Sequence, residues 1–155
     1  MEEYGESITG YQNNSSKEKK IKDIYSCKLE QNSDSNKVYN LEIWYNKLLE
    51  KTYSELTVAD VLRMIRQEVF VEIALKKAID ILKNNPLVGE MYEGELLEKV
   101  LKEEIEKITK KYNEDIKMIL KKAKEKAENY EWITNDEKND FLNLIKYYNI
   151  GRAHV

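Results

Sequence analysis

One cysteine, Cys27, stands in a sequence of 155 residues, so no intrachain disulfide can close and no cysteine zinc site can be completed. Such usage suits a reducing cytoplasm. Histidine is as scarce: His154 is the only one and sits one residue from the C-terminal end, where a chain rarely holds a general base in place. Ser-His-Asp and Cys-His arrangements and H-E-x-x-H metal sites are thereby excluded. The five glycines, Gly5, Gly10, Gly89, Gly94 and Gly151, are scattered and assemble neither a Walker A loop nor a dinucleotide fingerprint. Arginine occurs only as Arg63, Arg66 and Arg152, too few for an extensive phosphate site. With Pro86 the one proline, there is little turn chemistry for a sandwich or barrel. No run of about 18 apolar residues occurs, and the start Met1-Glu2-Glu3-Tyr4 lacks the basic and apolar regions of a signal peptide. A soluble, cytoplasmic protein with no membrane partner is expected.

What is present is charge and helical periodicity. Charged residues make up 35% of the chain and hydrophobic ones 41%, with a formal net charge of −3; that balance disfavours a nonspecific nucleic-acid coater. A chain this long can bury a core without disulfide or metal, and no cofactor is implied. Carboxylates are abundant, but none is marked as a pair with separated pKa values. Glu93 and Glu95 flank Gly94 and read more simply as helix-start carboxylates. No catalytic residue is assigned, and the protein is not expected to be an enzyme.

The expected fold is all-α: a compact multi-helix bundle with a long amphipathic helix in the second half and a partly mobile N-terminal arm. Residues 1–38 form the polar arm, 39–150 the helical domain and 151–155 a frayed tail or a non-native scar. Within the arm, Ile21, Ile24, Tyr25, Cys27 and Leu29 make an apolar patch that reads as a helical turn or a strand. From Tyr39, Leu41, Trp44, Tyr45, Leu48 and Leu49 share one helical face. Thr57 before Val58-Ala59-Asp60 reads as a capping-box start to a helix reaching about Gln67, with Asp60, Arg63 and Gln67 on one polar strip. A further helix spans 70–83 and stops before Pro86, which disfavours helical geometry at Asn85. A connector through Gly94 leads to the longest signal, Leu97, Leu101, Ile105, Ile108, Tyr112, Ile116, Ile119, Ala123, Ala127 and Tyr130. That eleven-residue rhythm demands no left-handed supercoil, although a break near Asn113 is compatible with it. Thr134-Asn135-Asp136-Glu137 opens a last helix, with Phe141, Leu142, Ile145 and Tyr148 inward and Gly151 placed to end it.

Charge is unevenly distributed along the long segment. Residues 90–106 carry seven acids against two lysines, and 107–126 eight lysines against three acids. Acid first and lysine later complements the helix dipole. The acidic start beside Tyr92 also reads as a recognition surface for a basic partner.

Two blocks carry a resemblance: Leu56-Thr57 to Asp60, Arg63 and Gln67 at an L-T-x-x-D-x-x-R-x-x-x-Q spacing, and Asn85-Pro86-Leu87 to Tyr92, Gly94-Glu95-Leu96-Leu97. Together, over residues 41–101, they resemble the immunity proteins of contact-dependent growth inhibition systems. The resemblance implies a cytoplasmic bacterial protein that binds a cognate toxin's C-terminal domain, commonly a nuclease, and blocks it. On that implication Asp60, Arg63 and Gln67 are expected as a polar network between helices, Pro86 and Gly94 as backbone-fixing residues of the connector, and Glu90, Tyr92, Glu93, Glu95 and Glu98 as toxin contacts. The alternative from another class is a helical nucleic-acid-binding regulator using Lys117, Lys121 and Lys124 of the lysine-rich 107–126 segment.

Overall fold

The computed structural model describes residues 18–25, 36–103 and 105–153. Seven helices and no strand occur among them: α1 Ile21–Tyr25, α2 Asn36–Leu49, α3 Val58–Gln67, α4 Val71–Asn84, α5 Glu95–Glu103, α6 Ile105–Asn129 and α7 Asn135–Ala153, with a one-turn 3-10 helix at Tyr53–Glu55. The protein is all-α. The chain divides into two compact units, Met1–Leu56 and Thr57–Val155.

In the first unit, the patch whose conformation the sequence left open is helical around a fully buried Ile21, while Ile24 is 46% exposed. Cys27, Leu29 and most of the polar arm lie outside the described residues. Residues 18–22 are tied to the segment after α2 by polar contacts: the Ile21 N–H donates to the Lys51 carbonyl at 2.9 Å, and Lys20 and Lys22 both reach Glu50, at 2.9 and 2.7 Å. The Ser54 N–H and hydroxyl donate to the Glu18 carboxylate. Leu48, Leu49 and Leu56 supply buried apolar surface on this segment.

In the second unit, α3 opens as the sequence indicated. The Thr57 hydroxyl accepts the Asp60 N–H at 3.1 Å, and the Asp60 carboxylate accepts the Thr57 N–H at 3.0 Å, which satisfies two orphan donors of the first turn. The α3–α4 turn is tighter than its residues suggest. Glu68 (φ 56°) and Phe70 (φ 47°) both take the left-handed conformation, where a Cβ normally costs about 1 kcal/mol or more. The Val69 N–H closes on the Met64 carbonyl at 2.9 Å, a helix-ending geometry usually given to glycine.

The long amphipathic segment is not one straight helix. α5 ends at Glu103, α6 begins at Ile105, and α6 bends at Tyr112 (φ −118°, ψ 23°), one residue from Asn113. The buried face of α5 is also wider than the expected stripe, because Leu96 and Val100 join Leu97 and Leu101. α5 packs on both α3 and α4, and a helix with two neighbours needs a broader apolar face. Each such side chain contributes about 1.5–3 kcal/mol by burial. Further on, Ile116, Ile119, Leu120, Ala123 and Ala127 line the inner face of α6. Lys122 and Lys126 of α6 donate to the Lys83 carbonyl and the Asn85 side chain, placing two cations at the negative end of α4.

α7 buries Phe141, Ile145 and Tyr148 and packs on α6. It runs on to Ala153, so Gly151 does not end it as expected. A glycine permits a helix end without compelling one, and its cost inside a helix is only about 1 kcal/mol relative to alanine.

Candidate functional site

The site is built on the connector between α4 and α5, residues 85–94. Asn85 is extended (φ −145°, ψ 93°), as a residue before proline should be, and its side chain accepts the Leu87 N–H at 3.2 Å. Two backbone bonds then close the loop: Gly94 N–H to the Leu87 carbonyl at 2.7 Å and Leu96 N–H to the Val88 carbonyl at 3.2 Å. The Glu95 carboxylate turns back into the loop and accepts the N–H groups of Glu90 and Met91, both at 2.8 Å. Gly89 is needed for space, because a Cβ there would lie 1.9 Å from the Tyr92 carbonyl oxygen.

A loop closed from inside turns its remaining side chains outward. Glu90 and Glu93 are exposed, Met91 is 80% exposed and Tyr92 42%. The Tyr92 hydroxyl donates to Glu98, and the Lys102 ammonium meets the other carboxylate oxygen at 2.8 Å. Burial works to raise the Glu98 carboxyl, but the hydrogen bonds from Lys102 and Tyr92 outweigh it and hold Glu98 below its ordinary value. Partial burial, with the Glu98 bond and charge adding to it, pushes the Tyr92 phenol up to about 12.

Opposite this wall stands α7. The Thr134 hydroxyl caps it by accepting the Glu137 N–H at 3.1 Å, and the Trp132 indole N–H donates to the Ala127 carbonyl at 2.9 Å. Between connector and α7 lies a groove of about 620 Å³. Its aromatic lining is Tyr92, Trp132, Phe141, Tyr147 and Tyr148; the Trp132 and Phe141 rings are 5.6 Å apart and those of Tyr147 and Tyr148 5.0 Å. Glu93, Glu98, Glu137 and Asp140 line it against one cation, Lys102.

The structure thus brings together Tyr92, Glu93 and Glu98, with Gly94 beneath them. It separates Glu95, which is 8% exposed and holds the loop instead of facing outward. That is a correction to its expected surface position: a carboxylate on the first residue of α5, directly after the connector, is close enough to cap the loop's own N–H groups. Glu90 sits on the exposed face of the connector, and Pro86 is buried at its start. Asp60, Arg63 and Gln67 lie on α3 away from the groove, with Asp60 buried in its capping box and Gln67 exposed. The α7 wall went unassigned in the sequence. Its signal was Tyr147, an aromatic one residue off the buried stripe, which is 69% exposed.

Among the described residues, no three histidine, cysteine or acidic side chains are grouped to hold a metal ion, and no helix is long and apolar enough to cross a membrane. Of the basic block, Lys122 and Lys126 are engaged at the end of α4, while Lys117, Lys121 and Lys124 are exposed.

The family model of CDI immunity proteins, the immunity proteins of contact-dependent growth inhibition, matches residues 23–119. No curated protein and no solved structure matches the chain. The matched segment includes the α3 capping box, the connector and the Tyr92–Lys102 wall of the groove, and the α7 wall lies beyond it. With more than half of its length matched, the chain belongs to the CDI immunity proteins, a family whose membership implies neutralising a toxin by binding it.

Proposed function

We propose that the protein binds the C-terminal domain of a cognate toxin in the cytoplasm, in a stoichiometric complex and with no catalysis of its own, and that this toxin is a nuclease. The observation that carries the reading is the connector: a loop fixed from inside by Glu95 that presents Glu90, Tyr92 and Glu93 next to Glu98 of α5. A nuclease holds a polyanion and so offers a basic face, which acidic side chains on a rigid loop can occupy in place of phosphate. Rigidity matters because a preorganised loop loses little entropy on binding. Glu95 supports that surface from behind. Asp60, Arg63, Gln67, Pro86 and Gly94 serve the scaffold.

The test is co-expression with the neighbouring open reading frame, purification on one tagged partner, and growth with and without this protein. Rescue together with a one-to-one complex is the expected result; neither rescue nor complex overturns the reading. The exposed pair Glu90→Lys with Glu93→Lys should weaken the complex more than about tenfold, roughly 1.4 kcal/mol. Unchanged affinity in a folded double variant removes the acidic loop from the interface.

A further inference from the structure

The groove beside the connector has a chemistry more specific than negative charge. Four carboxylates and five aromatic side chains line it with a single ammonium. Glu98 already has Lys102 and Tyr92 as partners, whereas Asp140 is exposed and unpartnered among the described residues. An anion would be repelled here, and a neutral apolar group would leave the carboxylates uncompensated. A cation fits both features: aromatic faces attract it through their quadrupole, and the carboxylates neutralise it. Between the two basic side chains, arginine matches better. Its planar guanidinium stacks on rings while its fork of donors suits carboxylates, which both walls supply, Glu93 and Glu98 on one and Glu137 and Asp140 on the other.

The rim also has the composition of an interface centre. Tyr92 and Tyr147 are 42% and 69% exposed, and the neighbours in sequence Met91 and Ile133 are 80% and 91% exposed. Exposed aromatic side chains lining a pocket mark the anchor region of a protein contact. We propose that the groove seats an arginine side chain of the toxin, stacked among Tyr92, Trp132 and Tyr147 and neutralised by Asp140; the assignment to the toxin rests on the reading above, while the recognition of arginine does not.

The experiment uses the full chain alone, so that its failure leaves the toxin-binding reading to the growth test. An acetylated and amidated tri-arginine peptide is titrated to about 5 mM, above the ~1 mM dissociation constant of a weak single anchor, and followed by the indole N–H resonances. Trp132 reports on the groove, and Trp44, which does not line it, is the internal reference. Saturable movement of Trp132 and the Gly94 amide, with tri-lysine weaker and tri-citrulline inert, is the expected result. The exposed variants Asp140→Asn and Tyr147→Ala should each weaken binding about threefold to tenfold. No saturable movement, equal movement with tri-citrulline, or unaltered binding by both variants overturns the proposal. Concentration-dependent movement of Trp132 without peptide also overturns it, since a second copy of the chain would then occupy the groove.

Discussion

Gly94 faces the ring of Phe141 so closely that a Cβ on it would lie 2.5 Å from two ring carbons. The contact joins the last residue of the connector to the first buried turn of α7, and with φ +82° Gly94 also takes a conformation that other residues adopt only at a cost. Gly94→Ala should therefore combine a backbone penalty of about 1–2 kcal/mol with an overpacking penalty of about 1–3 kcal/mol. Urea unfolding measures the total. Adding Phe141→Leu should give back part of the steric share, so the two substitutions should couple in a double-mutant cycle; strict additivity would mean that the ring is not what the Cβ meets.

Glu95 offers a sharper separation of charge from hydrogen bonding. Its carboxylate accepts two backbone N–H groups, and removing it leaves both without that partner. Glu95→Ala should cost about 1–3 kcal/mol in thermal unfolding, whereas Glu95→Gln, which keeps an acceptor oxygen, should cost clearly less. Equal losses would point to charge as the operative feature.

These two residues also mark where the sequence was readable. The helices followed from periodicity and caps, down to the Thr57–Asp60 box, because those signals are local. Connector acids could be grouped as a surface because they are adjacent in the chain. Glu95 could not be separated from its neighbours, since its orientation depends on a loop closure that no spacing rule encodes. The α7 wall stayed hidden for a related reason: Trp132, Asp140 and Tyr147 approach the connector only through the packing of α7. The width of the α5 face likewise reflects two packing partners, which a single stripe of apolar positions does not report.

The left-handed Glu68 predicts an inversion of the usual glycine effect. Glycine normally destabilises by raising the entropy of the unfolded chain, yet at φ 56° the folded-state strain of a Cβ, about 1 kcal/mol or more, outweighs it. Glu68→Gly should raise the urea midpoint without altering the slope, while Glu68→Val should lower it. A Glu68→Gly variant less stable than the parent would show that the turn does not hold this geometry in solution.

The Tyr92–Glu98–Lys102 chain sets two pH limits of opposite origin. Glu98 lies below its ordinary value of 4.5 because Lys102 and Tyr92 outweigh its burial. The unfolded state then binds the proton more readily, so this stabilisation is present above about pH 5 and is lost as pH falls through the folded value. Tyr92 moves the other way, from 10.0 to about 12, through burial and its bond to Glu98. Its stabilisation is present below pH 10 and is lost as pH rises toward 12; at 42% exposure, solvent screens part of it. Lys102, raised by its bond to Glu98, adds to the same alkaline limb. Thermal midpoints against pH for the parent, Glu98→Gln and Tyr92→Phe separate these contributions. Glu98→Gln should flatten the acid limb and also shrink the alkaline one, because both partners lose the carboxylate. Tyr92→Phe should shrink the alkaline limb, leaving the Lys102 share, and should soften the acid limb only partly, since Lys102 still holds Glu98. An acid limb unchanged by Glu98→Gln would mean that this hydrogen-bonded chain does not form on the folded protein.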